Sequence, residues 1–168
     1  MTLQDLGNIG EFVAAFGVIA SLIYVGFQVR QNTIAMKAQM HENLTSGYLT
    51  VVDIVAANAT AFAKGLNSTS NFHSLTDEEK LQFFGVIFGF FKHFEHMYVQ
   101  YQRGLIDQQA WDAWSEHIRM YFHQPGVLAW WAVRKSAFVR PFRDYLDNSE
   151  PPPIPNMVSV LNNNMTGG

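Results

Sequence analysis

The sequence contains no cysteine. This absence excludes a disulfide framework, a thiolate metal site and a cysteine nucleophile. Charge is scarce too, because charged residues make up 15% of the chain, against roughly 25% in an average soluble domain. Lys and Arg number 11 against 14 Asp and Glu, for a net charge of −3, and no basic stripe is visible. This pattern argues against nucleic-acid binding.

Sequence motifs of common catalytic and nucleotide-binding sites are also missing. Neither Gly-x-x-x-x-Gly-Lys-Ser/Thr nor Gly-x-Gly-x-x-Gly occurs, which excludes a standard phosphate-binding loop. Gly-x-Ser-x-Gly is absent as well, so an α/β-hydrolase nucleophile has no support. There is no internal repeat and no alternating strand pattern longer than a few residues. We therefore predict no catalytic residue and no cofactor, which favours a protein that is not an enzyme.

Hydrophobic and aromatic residues, by contrast, are abundant, at 48% and 14% of the 168 residues. A chain of this length forms one domain with a substantial core and is too short for two ordinary domains. The composition excludes disorder for most of the chain.

One uninterrupted apolar segment lies near the N-terminus. No charged residue occurs in residues 12–29, FVAAFGVIASLIYVGFQV, and this length at a helical rise of about 1.5 Å reaches about 27 Å. Because the hydrocarbon core of a bilayer is roughly 30 Å thick, we predict one transmembrane helix, an anchor over residues 1–32. A buried core helix is one alternative, since the length is the lower limit for a span. A cleaved signal peptide is the other, although MTLQD is acidic and no Ala-x-Ala site follows.

Charged residues flank this segment unevenly. Asp5 and Glu11 precede it, while Arg30 and Lys37 follow it. Because positive flanks tend to stay inside, this small bias places the N-terminus outside and the rest of the chain in the cytoplasm. We therefore expect a single-pass protein of the bacterial inner membrane, with the lipid bilayer as its first partner.

Small residues recur on one face of the predicted membrane helix. They are Gly10, Ala14, Gly17 and Ser21, separated by four, three and four positions. In lipid, such a face lets two helices approach closely. The spacing predicts an oligomer interface with a second copy or with another membrane protein. The alternative is that small residues are simply frequent in membrane helices.

A second helical pattern follows, and no proline interrupts it. Apolar residues three or four positions apart predict one amphipathic helix near residues 34–64, with Gly47 as a bend and Gly65 as the stop. We expect the membrane helix to continue directly into this helix. Its apolar positions are Met36, Met40, Leu44, Tyr48, Val51, Val55, Ala59, Phe62 and Leu66.

The next helix has clear start and stop signals. Thr76 opens a capping-box sequence, TDEE, and Gly104 favours a left-handed backbone at the end. Its first half, LQFFGVIFGFF, is apolar all round, but charged residues from Lys92 onward make this run too short to span a membrane. We predict a buried core helix, with a close helix crossing at Gly85 and Gly89.

Shorter helices complete the predicted all-α fold. Asp107 caps one helix, which ends at Gln124-Pro125-Gly126, and another begins near Pro125 and bends or restarts at Pro141. We expect a cytoplasmic bundle of about four helices over residues 33–148 and a flexible tail rich in Pro and Asn over residues 149–168. The expected inward positions are Trp111, Trp114, Ile118, Phe122, Leu128, Trp131, Phe138, Phe142, Tyr145 and Leu146.

Residues 98–147 contain several turn and core motifs. They are a Tyr-x-x-Gly-Leu turn, a Trp pair after Pro-Gly and a Phe-x-x-Tyr-Leu ending, and they follow the N-terminal GNIGEFVAAFGVIASLIYVGFQVRQNT. With these motifs the chain resembles an uncharacterised bacterial family of small proteins that have one N-terminal transmembrane helix and a helical C-terminal domain. The resemblance implies a bacterial membrane-anchored helical protein, and it implies no activity and no catalytic residue.

Six histidines raise the question of a metal site. His93 and His96 share a helix face, and Glu116 with His117 forms a second candidate pair. A di-iron carboxylate bundle needs Glu-x-x-His on two helices, yet no Glu has a His three residues later. His-Glu-x-x-His is absent too. We therefore predict no metal site and expect surface or hydrogen-bonded histidines.

Tryptophans and a basic cluster each allow two interpretations. The tryptophans either line a pocket for a flat or apolar ligand or pack in the core, and we expect the core. The basic residues either meet anionic lipid headgroups or form a solvated face beside Asp144 and Asp147, and we expect the solvated face. The two sets are Trp111, Trp114, Trp130 and Trp131, and Arg134, Lys135, Arg140 and Arg143.

Two classes of function agree with these features. The favoured one is a membrane-anchored structural or interaction protein, a homo-oligomer or an accessory subunit of a membrane complex. An oligomeric ring would make a pore, with Ser21, Tyr24 and Gln28 as its polar lining. The alternative is a helical bundle that binds an apolar small molecule or a metal, with His96 or His117 supplying polarity. Neither class names a substrate.

Overall fold

The computed structural model of the protein describes residues 3–69 and 72–153. It is 83% helical, and the described residues contain no β-strand. The prediction of an all-α fold is therefore confirmed. The chain divides into two compact units, Met1–Met40 and His41–Gly168.

Six α-helices and one short 3-10 helix make up the secondary structure of the described residues. They are α1 (Leu3–Ala57), α2 (Ala59–Leu66), α3 (Asp77–Gln102), α4 (Gln108–Phe122), α5 (Pro125–Arg134), the 3-10 helix Lys135–Ala137, and α6 (Arg140–Asp147). The predicted membrane helix thus continues without a break into the next predicted helix. The tail predicted over residues 149–168 is non-helical as far as Pro153, and its remaining residues lie outside the described part of the chain.

In the first unit, α1 is apolar and uncovered. The residues from Gly10 to Gln39 are all exposed, including large apolar side chains such as Phe12 and Leu22. The described residues of this unit contain no second element. The unit therefore has an apolar surface and no core of its own.

In the second unit, the core is built around α3. Half of the largest fully buried side chains belong to this helix, which confirms its prediction as a core helix. The fully buried side chains are Trp130, Phe83, Phe91, Phe94, Phe142, Ile87, Met97, Ile118, Leu146 and Val127. Aromatic rings make up half of this set, and ring pairs of this kind add stabilisation beyond the burial of their area.

The predicted ends of α3 are confirmed in atomic detail. Thr76 accepts a hydrogen bond from the backbone N–H of Glu79, whose carboxylate accepts one from the N–H of Thr76. At the other end, Gly104 has a φ of +72°, and the N–H of Leu105 donates to the carbonyl oxygen of Gln100. These bonds are a capping box and a Schellman motif, which satisfy backbone groups that a helix end leaves free.

The amphipathic helix predicted near residues 34–64 is interrupted at Asn58, so this prediction is wrong in its length. The side chain of Asn58 donates to the carbonyl oxygen of Ile54 at 2.8 Å, while its backbone N–H donates to Val55. Asparagine thus competes with the regular helical bond, which ends α1 and lets α2 begin. The predicted stripe still turns inward on both sides of the break, at Leu44 and Phe62 for example.

Two glycines of this region lie close to side chains of α3. Gly47 lies inside α1, where a Cβ would be 2.9 Å from the ring of His93. Gly65 lies within α2, which ends at Leu66, and a Cβ there would overlap the ring of Phe83. Each glycine therefore permits a close approach by an α3 side chain.

The close crossing predicted at Gly85 and Gly89 is wrong. Both glycines are on the exposed side of α3, and no atom of another element lies within 4 Å of a Cβ built on either. The close helix contact lies elsewhere, at Gly126 in α5, where a Cβ would overlap the carbonyl oxygen of Gly65.

The inward face of α5 also differs from the prediction. Leu128 is exposed, whereas Val127 and Trp130 are buried. Phe138 is buried as predicted, but it follows the 3-10 helix rather than continuing α5. As expected, Pro141 stands in the first turn of a new helix, α6.

Candidate functional site

The apolar segment of α1 is the first candidate site. An 18-residue window of this helix has a mean hydropathy of 2.1, and none of it is buried. By length and composition α1 is able to cross a membrane, and within the described residues no other helix passes that test. Signal sequences and core helices of soluble proteins pass the same test, and the core helices are mostly buried.

The predicted oligomer interface lies on this segment. Gly10, Ala14, Gly17 and Ser21 are all exposed. At Gly10 and Gly17 the space beside the backbone is open, since no atom lies within 4 Å of a Cβ built there. The face is therefore accessible to another helix, and its use as an interface stays a prediction.

Polar side chains of the segment bond within the helix. The hydroxyl of Ser21 donates to the carbonyl oxygen of Gly17 at 2.8 Å, and the amide of Gln28 donates to the hydroxyl of Tyr24 at 2.9 Å. Such local bonds reduce the cost of placing these groups in lipid, where water is absent. The same bonds engage Ser21, Tyr24 and Gln28, the three polar side chains that were predicted to line a pore.

A cluster of aromatic and histidine rings is the second candidate site. The hydroxyl of Tyr48 on α1 and Nε2 of His117 on α4 are 2.6 Å apart and share a hydrogen bond. The ring of Trp114 packs edge-on against Tyr48, with ring centres 4.9 Å apart. The ring of His93 also lies near Tyr48, with ring centres 6.1 Å apart. The cluster thus joins α1, α3 and α4 within the second unit.

Burial sets the ionisation of this cluster. Desolvation lowers the pKa of His117, and it lowers the pKa of His93 together with the nearby charge of His96. Burial and the neighbouring Tyr121 raise the pKa of Tyr48. Nε2 of His93 is buried and finds no hydrogen-bond partner among the described residues. All three rings are therefore neutral near pH 7.

The metal candidates do not come together. His93 and His117 face Tyr48, whereas His96 is exposed and Glu116 lies at an open cleft. Among the described residues, no group of three His, Asp or Glu side chains is close enough to hold a metal ion. The candidates His93, His96, Glu116 and His117 therefore do not form a set of metal ligands.

The cleft beside His117 has a volume of about 290 Å³ and is open to solvent. It is lined by Ala113, Glu116, His117, Met120 and Pro152. No tryptophan lines it. Three tryptophans are buried in the core instead, and the fourth packs on Tyr48: Trp111, Trp130 and Trp131, and Trp114.

The basic cluster lies at the end of α5 and the start of α6. Lys135 pairs with Asp147 at 2.9 Å, and Arg140 with Asp144 at 3.6 Å. The guanidinium of Arg134 lies over the ring of Phe88, 5.6 Å from its centre. These exposed pairs contribute little to stability.

Two contacts of the second unit were not predicted. Tyr48 and His117 are 69 positions apart in sequence, and no local pattern links them. Glu95 is buried and accepts a hydrogen bond from the N–H of Val139 at 2.6 Å, while Lys92 donates to Glu95 and to the carbonyl oxygen of Ala137. Through these bonds, Lys92 and Glu95 hold the chain between α5 and α6.

No family model matches this sequence, no curated protein is similar to it, and no solved structure matches its fold. The resemblance to a bacterial membrane-anchored family stays an expectation.

Proposed function

We propose that the protein is a membrane-anchored helical structural or interaction protein, a homo-oligomer or an accessory subunit of a membrane complex. The observation that carries this proposal is the uncovered apolar segment of α1, from Phe12 to Val29. A contiguous apolar surface of this kind needs a cover, because monomeric soluble proteins rarely expose large apolar patches.

A lipid bilayer is the cover that fits best. Ten of the residues 12–29 are Leu, Ile, Val or Phe, and each contributes roughly −0.3 to −0.6 kcal/mol on insertion into a membrane. Their sum is of the order of −3 to −6 kcal/mol, and the segment has no charged residue to oppose it. Insertion is therefore favourable, and Gln28, the most polar side chain, stands one position from the end of the segment.

The oligomer is supported by the accessible small-residue face of Gly10, Ala14, Gly17 and Ser21. In lipid, close backbone contact at such a face supplies the packing that apolar side chains alone do not provide. Because Ser21 already bonds to Gly17, this face has no unsatisfied side-chain hydroxyl. The His117 cleft gives the small-molecule alternative no comparable support, since it is open and holds no tryptophan.

Cysteine labelling tests the proposed topology, because the unmodified chain contributes no thiol of its own. The chain has no cysteine, so Asn8→Cys and Asn32→Cys place one thiol on each side of the apolar segment. In intact bacterial cells, a maleimide that does not cross membranes should label Asn8→Cys and leave Asn32→Cys unlabelled until the cells are lysed. Equal labelling of both thiols in intact cells would contradict a spanning helix, and the reverse pattern would contradict the orientation.

A further inference from the structure

The part of α1 that belongs to the second unit, residues 41–57, is attached at few points. Leu44 is the only buried residue in this range. The half-buried residues of the same range are Gly47, Tyr48, Val51 and Val55. A helix that buries so little apolar surface opens more easily than the helices of the core. Its attachment therefore depends on the few contacts that these residues make.

Asn58 separates this part of α1 from α2. The backbone of Asn58 is not helical, with a φ of −120° and a ψ of 27°. Beyond this break α2 is fixed in the core, where its buried residues are Ala61, Phe62, Gly65 and Leu66. A few residues at the end of an element are enough to absorb a hinge motion. Residues 41–57 are therefore able to move at Asn58 while α2 stays in place.

Two histidine rings form the polar part of the contact with α1. The ring of His93 on α3 lies against the backbone of α1, since a Cβ at Gly47 would be 2.9 Å from it. Nε2 of His93 is buried and has no hydrogen-bond partner among the described residues. Nε2 of His117 on α4 shares a hydrogen bond with the hydroxyl of Tyr48. Both rings thus meet α1 directly.

The surroundings of the two rings do not compensate a positive charge. The groups that face His117 are Tyr48 on α1, Phe94 on α3, and Trp114 and Tyr121 on α4. The groups that face His93 are Gly47 and Tyr48 on α1, and Phe94 and His96 on α3. Glu116 lines the same cleft as His117 but forms no ion pair with it. A proton added to either ring therefore loses hydration without gaining a counter-ion.

We propose that acidification releases residues 41–57 of α1 from α3 and α4, while the helices α2 to α6 stay folded. Protonation gives His93 and His117 a charge that water hydrates and the contact does not. Release at Asn58 returns both rings to water. Because all of these residues lie within the second unit, the inference does not depend on the proposed membrane anchor.

Proton linkage sets the size of the effect. Burial lowers the pKa of both histidines in the attached form, whereas released histidines bind protons near pH 6.5. The attachment is thus fully stable above about pH 6.5 and weakens as the pH falls toward the lowered pKa values. In this range the ratio of released to attached chains rises by up to about tenfold per pH unit for each histidine, or about 100-fold for both.

Double electron–electron resonance on the full chain in mild detergent tests the release. Spin labels are attached at Leu49→Cys on α1 and Gln109→Cys on α4, two exposed positions, and the labelled chain is diluted with unlabelled chain. We expect one distance at about pH 7.5 and a second, longer one at about pH 5.5, which disappears when the pH is raised again. The control pair, Gln109→Cys with Val133→Cys on α5, should keep its distance.

Variants assign the release to the two rings. His93→Gln and His117→Gln keep a hydrogen-bonding side chain that does not take up a proton. Each should reduce the change per pH unit from about 100-fold toward about tenfold, and the double variant should stay attached. His41→Gln, at an exposed histidine of α1, is the matched control and should release like the unmodified chain.

A second measurement does not depend on how the variants fold. In the unmodified chain, the pH of half release should coincide with the pH at which the NMR signals of the His93 and His117 rings titrate. Release at a pH where neither ring titrates, or release that persists in the double variant, would assign it to other groups. An unchanged distance between the labels at residues 49 and 109 excludes release, and a change in the control pair identifies unfolding of the bundle instead.

Discussion

Tyr48 and His117 show how a single contact joins distant parts of the chain. Their hydrogen bond of 2.6 Å links α1 to α4 inside an aromatic cluster. Neutral rings suit this position, because a charged imidazolium would lose its hydration without gaining a carboxylate partner. Burial accordingly lowers the pKa values of His117 and of its neighbour His93.

These lowered pKa values predict that stability depends on pH. The unfolded chain binds protons at its histidines near pH 6.5, whereas folded His93 and His117 bind them only at lower pH. The stabilisation is thus fully present above about pH 6.5 and is lost as the pH falls through the folded pKa values. Thermal unfolding in mild detergent should show a falling midpoint between about pH 7 and pH 5.

Two variants check the assignment of this pH dependence. His117→Phe removes one titrating ring and should make the fall in unfolding midpoint shallower. His41→Ala removes an exposed histidine and should leave the slope as it is. A slope that is unchanged in His117→Phe would show that the pH dependence arises elsewhere.

At the scale of the elements, the surroundings of the glycines show which helices are in close contact. Gly126 is pressed against the backbone of α2, while Gly85 on α3 faces open space. We expect Gly126→Ala to destabilise the fold by about 1–3 kcal/mol, because backbone must move. Gly85→Ala should instead stabilise it by about 0.5–1 kcal/mol, since alanine is the better helix former. Chemical denaturation in detergent measures both, and a destabilising Gly85→Ala would reveal a covering partner at that face.

Assembly through α1 is also a property of an element. Gly17→Leu fills the middle of the small-residue face while leaving the segment more hydrophobic, so insertion should be unaffected. We expect the oligomer to dissociate about tenfold more readily, as measured by sizing in mild detergent. Val18→Leu enlarges a neighbouring face and is the control. Equal effects of the two substitutions would contradict an interface at Gly17.

The local signals of the helices could be predicted from the sequence. The caps at Thr76 and Asp107 and the stop at Gly104 each involve residues within five positions of one another, so a short stretch of sequence specifies them. The apolar segment of α1 is local in the same sense. Asn58 was missed because its side chain fits a helix interior as well as a break, and only its bond to Ile54 decides between them.

The contacts between helices were beyond sequence reasoning. Helix α5 carries apolar residues on both faces, so periodicity alone could not tell Leu128 from Val127 as the buried one. The glycine pair Gly85 and Gly89 has the spacing of a helix contact, yet the contact is made by Gly65 and Gly126. Such pairings depend on the tertiary fold, which brings together residues far apart in the chain.

At the scale of the whole molecule, the two units differ in what they bury. The second unit packs its aromatic residues into a core around α3, whereas the first unit leaves its apolar side chains exposed along α1. Burial inside the chain explains the first pattern, and the second is typical of a helix whose solvent is lipid. The proposed anchor and the proposed oligomer both depend on this difference.

Extraction of bacterial membranes at alkaline pH decides whether the protein is anchored. Peripheral proteins are released by this treatment, whereas a spanning helix remains in the bilayer. We predict that the full-length chain stays with the sedimented membranes and is released only by detergent. Its recovery as a full-length soluble protein would contradict the anchor, and so would a chain that mass spectrometry shows to begin after Val29, since its apolar segment would then be a cleaved signal.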